Sequence, residues 1–450
     1  MNLIDIQNKT ILLFGKSRAF SSEEFDSQLK FHNIFLTKEY SSEVSYIVEG
    51  RMMTPYEQIA SENIYENGER NFITIDKLEK ILAQAIDEDT LLMSLKLSHD
   101  KERLKSFIQN DMISDTLFFR LLRMYSWNGE DFFENDDNRD VTAGIIRRFY
   151  TNIEQNHNVE YATLGLMHLI VQCKDEKLID EIALLEPLQN SFKNELKDSK
   201  FSIVTAIATH EYSSKAVIKM LVKKANSYVK TLIAMRLNCD ENMQNRLYKD
   251  GNEDVLEALS YNEHLNKELI IEFAKTPKYA KNIAKYIKLD KEIFKLLIDN
   301  YAPQLAQNES LNYDLQKELI SLHDKNVQLS LASNINIDEK FINELVSEGS
   351  IDINFAIYEN ETTPQPTLED AYNDKANHFS LAHNKNTPLK ILTLLAESDN
   401  PKVLEGLAKN ESTPIDVLYQ LQLDSRFERY VKENASFGKH IQTENIGWLV

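Results

Sequence analysis

Seven lysines crowd residues 275–295 of an otherwise acidic chain, and these are the residues whose type and spacing most invite a chemical reading. Lys275, Lys278, Lys281, Lys285 and Lys288 recur at intervals of 3 and 4, with Lys291 and Lys295 beyond them. Such spacing gathers ammonium groups on one side of a helix. A row of that kind on a concave helical surface can follow a nucleic-acid backbone. The competing reading is a solvated face: the segment spans a helix–loop–helix, no Arg accompanies the lysines, and the chain carries a net charge of −20. That charge repels nucleic acid and anionic lipid overall. A second basic cluster, Lys215, Lys219, Lys223 and Lys224, lies earlier.

Other chemically suggestive residues fail on spacing. Gly15-Lys16-Ser17 matches the end of a phosphate-binding loop, yet the earlier glycine position is Thr10 and the residues between are strand-like. Without a glycine-rich nest there are no convergent N–H groups for phosphate. Asp136, Asn138 and Asp140 have the spacing of a calcium loop, but Val141 and Arg147 stand where Gly and Glu are needed. His378 and His383 lie off a shared helical face, and His99, His210 and His383 read as capping or packing residues. Cys173 and Cys239 are isolated, which argues against a disulfide framework or a paired-cysteine metal site. No catalytic constellation, metal site or cofactor is expected, so the chain reads as a non-enzyme.

Positioning elements must be mostly helical. In 450 residues there are only 11 Gly and 9 Pro, with 42% hydrophobic residues. The opening MNLIDIQNKT lacks a signal peptide's basic patch and apolar segment. No run approaches the ~18 apolar residues of a membrane span. A cytoplasmic location without a membrane partner is the expectation.

Residues 1–86 differ from the rest. Thr10–Phe14, Phe35–Thr37, Val44–Val48 and Phe72–Ile75 read as strands; Glu23–Phe31, Tyr56–Glu66 and Lys77–Ile86 read as helices, the last capped by Asp76. The order β-α-β-β-α-β-α predicts a small, mainly parallel sheet flanked by helices. With NKTILLFGKSRAFSSEEFDSQL, FLTKEYSSEVSYIVEG and NFITIDKLEKIL, this stretch resembles a BRCT domain of the form appended to bacterial NAD-dependent DNA ligases. The resemblance implies a docking module for assembly in DNA replication or repair, with Gly15, Lys16 and Ser17 as the candidate ligand contacts. It departs from phosphopeptide readers, because Phe14 precedes Gly15 and the second helix opens Thr54-Pro55-Tyr56 without a lysine.

Residues 87–200 read as helical with degenerate repeats, since Asn110–Leu121 echoes Asn410–Leu421, and Glu130–Asp140 reads as an acidic helix–helix connection. From 201 to 436 the repeat is countable. LAHNKNTPLKILTLL recurs as LAKNESTPIDVLYQL, and Asn238, Asn262, Asn308, Asn334, Asn360, Asn384, Asn410 and Asn434, with Tyr286 in one slot, follow one another at 22 to 26 residues. Each unit reads as a short helix ended by Asn, a loop in which Thr-Pro caps the next helix, and a second short helix. Pairs this short need stacked neighbours to bury their apolar faces. The unit resembles the leucine-rich repeat variant family, an α-solenoid akin to HEAT repeats. Residues 437–450 read as a tail.

The recurrent Asn308, Asn334, Asn360, Asn384 and Asn410 are expected to form a ladder bonding the loops of adjacent repeats; a row of amides binding an extended peptide is the functional alternative. The resulting expectation is an α+β, mostly α, multi-domain chain. It would act as a scaffold for a protein partner, or as a nucleic-acid-binding solenoid using the lysine row.

Overall fold

A computed structural model describes residues 2–68, 71–191 and 201–443. The protein is mostly helical, with a small parallel sheet at its N-terminus followed by a long helical region. It divides into two compact units, Met1–Ile233 and Ala234–Val450.

The first unit opens with a short helix that no pattern in the sequence announces, α1 (Leu3–Ile6). The expected order follows: β1 (Thr10–Phe14), α2 (Ser22–Phe31), β2 (Phe35–Thr37), β3 (Val44–Glu49), α3 (Pro55–Glu66), β4 (Asn71–Thr74) and α4 (Ile75–Gln84). All pairings are parallel, in the order β2-β1-β3-β4. Ile11, Leu12, Ile47 and Val48 are buried in the two central strands, as expected of a parallel sheet covered on both faces. Ser21 caps α2 through the Glu24 N–H, and Thr54 with Glu57 forms a capping box on α3. Asp76 does not cap α4. Strand β4 runs straight into the helix, Thr74 occupies the N-cap position, and Asp76 sits in the first turn.

Further helices follow: α5 (Glu88–Ser98), α6 (Lys101–Ile108), α7 (Asp115–Leu122), α8 (Asp136–Phe149), α9 (Thr163–Gln172), α10 (Glu176–Ala183), α11 (Glu186–Ser191), α12 (Phe201–Thr209), α13 (Lys215–Lys224) and, at the end of the unit, α14 (Ser227–Ala234). Part of the acidic stretch expected to be a connection is helical. Asn135 caps α8 by accepting from the Asn138 N–H, which places Asp136 and Asp137 in the first turn, where the helix dipole favours them.

The second unit is a succession of helix pairs: α15 (Glu241–Asp250) and α16 (Glu253–Leu259); α17 (Lys267–Ala274) and α18 (Pro277–Tyr286); α19 (Lys291–Ala306); α20 (Tyr313–Ile320) and α21 (Lys325–Ala332); α22 (Glu339–Ser347) and α23 (Ile351–Glu359); α24 (Gln365–Ala371) and α25 (His378–His383); α26 (Leu389–Leu395) and α27 (Pro401–Lys409); α28 (Ile415–Gln422) and α29 (Glu428–Glu433); and α30 (Ala435–Thr443). From α19 onward, each helix that precedes an Asn packs on its counterpart in the next repeat: α19 on α21, α21 on α23, α23 on α25, α25 on α27 and α27 on α29. Helix α19 fuses two helices across a kink at Tyr301, next to Pro303. The cause is visible in the spacing: Tyr286 to Asn308 is the shortest interval, 22 residues, and leaves no room for a loop. Of the expected tail, residues up to Thr443 belong to α30, and 444–450 lie outside the described residues.

Candidate functional site

The recurrent asparagines are nearly inaccessible, and each uses its whole amide. Asn334 Nδ2 donates to the carbonyls of Ala306 (2.8 Å) and Asn308 (2.9 Å), while its oxygen accepts from the Asn336 N–H at 2.8 Å. Asn360 repeats this against Ala332 and Asn334, Asn384 against Tyr358 and Asn360, Asn410 against Ala382 and Asn384, and Asn434 against Ala408 and Asn410. Asn308 donates to Ala284 and Ile287. Every such side chain therefore grips the preceding repeat at the carbonyl of its counterpart and of the residue two earlier, with a one-residue slip at the Tyr286 slot. With two donors and an acceptor engaged, no amide hydrogen is left for a ligand. Asn360, Asn384, Asn410 and Asn434 are in extended backbone (Asn384 at φ −77, ψ 121), and none of the ladder asparagines has the left-handed conformation their position at a helix end suggests.

The ladder's geometry corrects one slot. Asn262 donates to Ala234 and Arg236, so the slot before it is Arg236, 26 residues earlier, and not Asn238. Cys239 then takes the buried position three after the slot, as Leu265, Leu311 and Ile337 do in later repeats. The Thr-Pro pairs also act differently from the expectation. Thr363, Thr387 and Thr413 donate backward, to the carbonyls of Ile357, Leu381 and Leu407 in the helix just ended. Pro364, Pro388 and Pro414 occupy the N-cap position themselves. The hydroxyl satisfies an orphan carbonyl at a helix C-terminus, not an orphan N–H at the next N-terminus.

At Asn110 the same unit recurs in the first unit. Its oxygen accepts from the Met112 N–H at 2.9 Å, and Ser114 caps α7. Its Nδ2 is buried without a partner. Its carbonyl and that of Ile113 are taken by the guanidinium of Arg148 on α8, which also pairs with Asp115. Arg148 thus performs the task that an Asn of the following repeat performs elsewhere.

The β1–α2 loop holds Gly15, Lys16 and Ser17, and the Gly15 and Lys16 N–H groups and the Ser17 hydroxyl are already occupied. The Gly15 N–H donates to Glu57 Oε1 at 3.0 Å, the Lys16 N–H to the Arg51 carbonyl at 2.8 Å, and the Ser17 hydroxyl to the Phe20 carbonyl at 3.0 Å. Beyond them, the N–H groups of Arg18, Ala19 and Phe20 converge on one oxygen, Glu79 Oε1, at 2.8, 3.0 and 3.4 Å. Three successive amides on one anion form a nest of the kind that binds phosphate. Here the anion is the protein's own. Burial pushes the Glu79 carboxyl up from its usual range, while the three amides pull it down. Glu57, hydrogen-bonded by Thr54 and Gly15, is held below its ordinary value. A Cβ at Gly15 (φ +74) would meet the Arg51 carbonyl at 2.4 Å, which explains the glycine.

The lysine row is not continuous. Lys275 ends α17 and pairs with Glu272 at 2.7 Å; Lys278, Lys281 and Lys285 lie on α18; Lys288 stands in the connection to α19. Lys278 bridges Glu253 and Glu257, both at 2.9 Å, and these carboxylates hold its ammonium well above the ordinary lysine range. Lys285 lies 5.1 Å over the Tyr286 ring. Lys285 and Lys288 line a cleft of about 430 Å³ with Tyr286, Ser310, Glu263 and Glu309. The earlier basic cluster, Lys215 to Lys224, lies on α13, where Lys224 donates to Gln189 at 3.1 Å. Among the described residues no group of His, Cys, Asp and Glu is placed to hold a metal ion, and no helix is long and apolar enough to cross a membrane.

One feature escaped sequence reasoning. Five residues before each ladder position of the second unit from Asn262 onward, the helices that precede it place side chains at an outward-facing point: Glu257, Lys281, Pro303, Leu329, Phe355, Phe379, Glu405 and Arg429 in successive repeats. Leu329 is 36% and Phe379 40% exposed, and Phe355 is half-buried. The signal was present in the sequence, but only once the ladder register fixes which residues share a row. Compared with protein-family models and with curated proteins, the chain matches none.

Proposed function

We propose that the chain is a non-catalytic scaffold, in which a BRCT-like module precedes an array of the leucine-rich repeat variant type that engages a protein partner. The observation that carries this reading is the ladder. Its amides are consumed in holding repeats together, so the array offers an extended, pre-organised surface and its loops offer no small-molecule site built from the asparagines. The all-parallel sheet in the order β2-β1-β3-β4 with flanking helices is what a BRCT-like module would have. Its loop nest is filled by Glu79 and Glu57, which favours docking of the module as a body over reading of a phosphorylated side chain. Assembly work in DNA replication or repair is the context the resemblance suggests.

The test uses the full chain as bait, cross-linked in its own cells, alongside mobility shifts with DNA and RNA across a salt series. A reproducible protein partner, with no nucleic-acid affinity that survives moderate salt, is the expected result. Tight nucleic-acid binding that falls steeply with salt, and no protein recovered, would overturn it.

A further inference from the structure

We infer that the outward row on the first helices of the second unit is a docking surface for an extended polypeptide carrying acidic residues at one end and apolar residues at every third position beyond. The inference rests on the scaffold reading and names the partner's chemistry.

The row opens on Glu257 of α16, whose charge Lys278 neutralises at 2.9 Å, and three zones follow. Next to it stand Lys281 and Lys285, four residues apart on one face of α18. Unlike Lys278, which has two carboxylates, neither has a carboxylate within ion-pairing distance among the described residues. In the middle the equivalent positions are apolar: Pro303, Leu329, Phe355 and Phe379, one per repeat. The Phe379 ring lies against His383, 4.4 Å between centroids, so α25 presents a continuous aromatic patch. Glu359, the acidic group beside this zone on α23, is engaged by the Ser380 hydroxyl at 3.3 Å. At the far end the row closes on itself. Glu405 pairs with Lys409 at 2.5 Å and Arg429 with Glu433 at 2.8 Å, so charges there neutralise each other within one helix.

Cations without a carboxylate partner, followed by apolar groups of which Leu329 and Phe379 are exposed, complement a segment that is acidic, then apolar. The spacing adds a register. Packed helices lie about 8–10 Å apart, and an extended chain in the polyproline II conformation advances about 3.1 Å per residue with about three residues per turn. One repeat therefore corresponds to about one turn of such a partner, about three residues, which brings every third side chain to the same face.

The probe is a fluorescein-labelled synthetic peptide of four glutamates followed by leucines at every third position, with serines between. Two controls have the leucines made adjacent, or the glutamates replaced by lysines. Fluorescence anisotropy with the full chain should show both controls binding at least tenfold more weakly. Leu329→Glu with Phe379→Glu, and separately Lys281→Glu with Lys285→Glu, should each weaken the acidic peptide at least tenfold. The thermal melt should stay unchanged; where one pair of substitutions melts early, the other pair decides. Equal binding of the scrambled peptide, or full retention by a well-folded variant pair, overturns the inference. If the peptide fails but the cross-linked partner is still captured by the Leu329→Glu, Phe379→Glu chain, this face is excluded and the scaffold reading stands. If no partner is captured by the unaltered chain either, both fall.

Discussion

Asn384 Nδ2 lies 2.8 Å from the main-chain carbonyl oxygen of Asn360, the residue that holds the same place one repeat earlier. A second bond from the same nitrogen reaches the Tyr358 carbonyl at 2.9 Å, and Asn384 accepts from the Asn386 N–H at 2.7 Å. Asn384→Ala, at a fully buried position, takes away the bonds to the Tyr358 carbonyl and from the Asn386 N–H and leaves the Asn360 carbonyl with the Thr363 N–H alone. Buried groups of this kind cost about 1–3 kcal/mol each, so a loss of about 3 kcal/mol is expected. Thr387→Val removes only the bond to the Leu381 carbonyl and should cost about 1 kcal/mol. Urea unfolding followed by circular dichroism ranks the two. Equal losses would mean that the ladder does not hold the repeats.

Glu79 gives a pH dependence with a definite sign. Its Oε1 gathers three amides, its Oε2 is buried without a partner, and Asp76 on the same helix adds to the upward push of burial; Arg18, which pairs with Asp76 and Asp111, is the nearby cation. A carboxyl raised in the native state binds its proton more tightly there than in the unfolded chain. Its stabilising contribution is complete below the usual glutamate value of 4.5 and is lost as pH climbs through the native value. Glu79→Gln keeps the oxygen acceptor and removes the titration. The stability of the native protein minus that of Glu79→Gln should therefore fall as pH rises above 4.5, at a slope no steeper than about 1.4 kcal/mol per pH unit. A difference that is flat, or that rises with pH, refutes the assignment.

These two sites also show what the sequence could and could not disclose. The asparagine spacing is legible because one side chain performs one task in repeat after repeat. It misleads at Asn238, because the ladder grips main-chain carbonyls and any residue can supply one; Arg236 does. The strands were legible from buried β-branched and aromatic runs such as Thr10–Phe14. The occupant of the β1–α2 nest was not, since Glu79 lies 60 residues from Ala19 and is one carboxylate among 71 acidic residues. Lys278 looked like a free member of a basic row for the same reason: its partners, Glu253 and Glu257, sit on the helix of the preceding repeat.

Arg148 tests whether Asn110 belongs to a true repeat. Its guanidinium bonds the Asn110 and Ile113 carbonyls and the Asp115 carboxylate, and it lies 5.0 Å over the Phe118 ring with a side chain only 10% exposed. Lysine keeps the charge but cannot fork to several acceptors at once. Arg148→Lys is expected to cost about 2 kcal/mol, from one or two buried carbonyls left unpaired. Hydrogen exchange should show the loss concentrated in the 110–122 segment. A stability within about 0.5 kcal/mol of the native protein would show that Arg148 is an ordinary surface residue.

Cys239 reports on the slot correction itself. With Arg236 as the slot, Cys239 falls three residues later, at a position buried in every later repeat except the one that follows Tyr286, where Leu289 is half-buried. Cys239 is 3% exposed, and burial pushes its thiol up to about 12. Cys173 is half-exposed, and burial raises its thiol as well. Because the thiolate is the reactive form, iodoacetamide at pH 8 should alkylate Cys173 slowly and leave Cys239 untouched. In urea both should react. Mass spectrometry of the digested chain separates the two sites. Native-state modification of Cys239 at a rate matching Cys173 would place it outside the core and restore Asn238 as the slot residue.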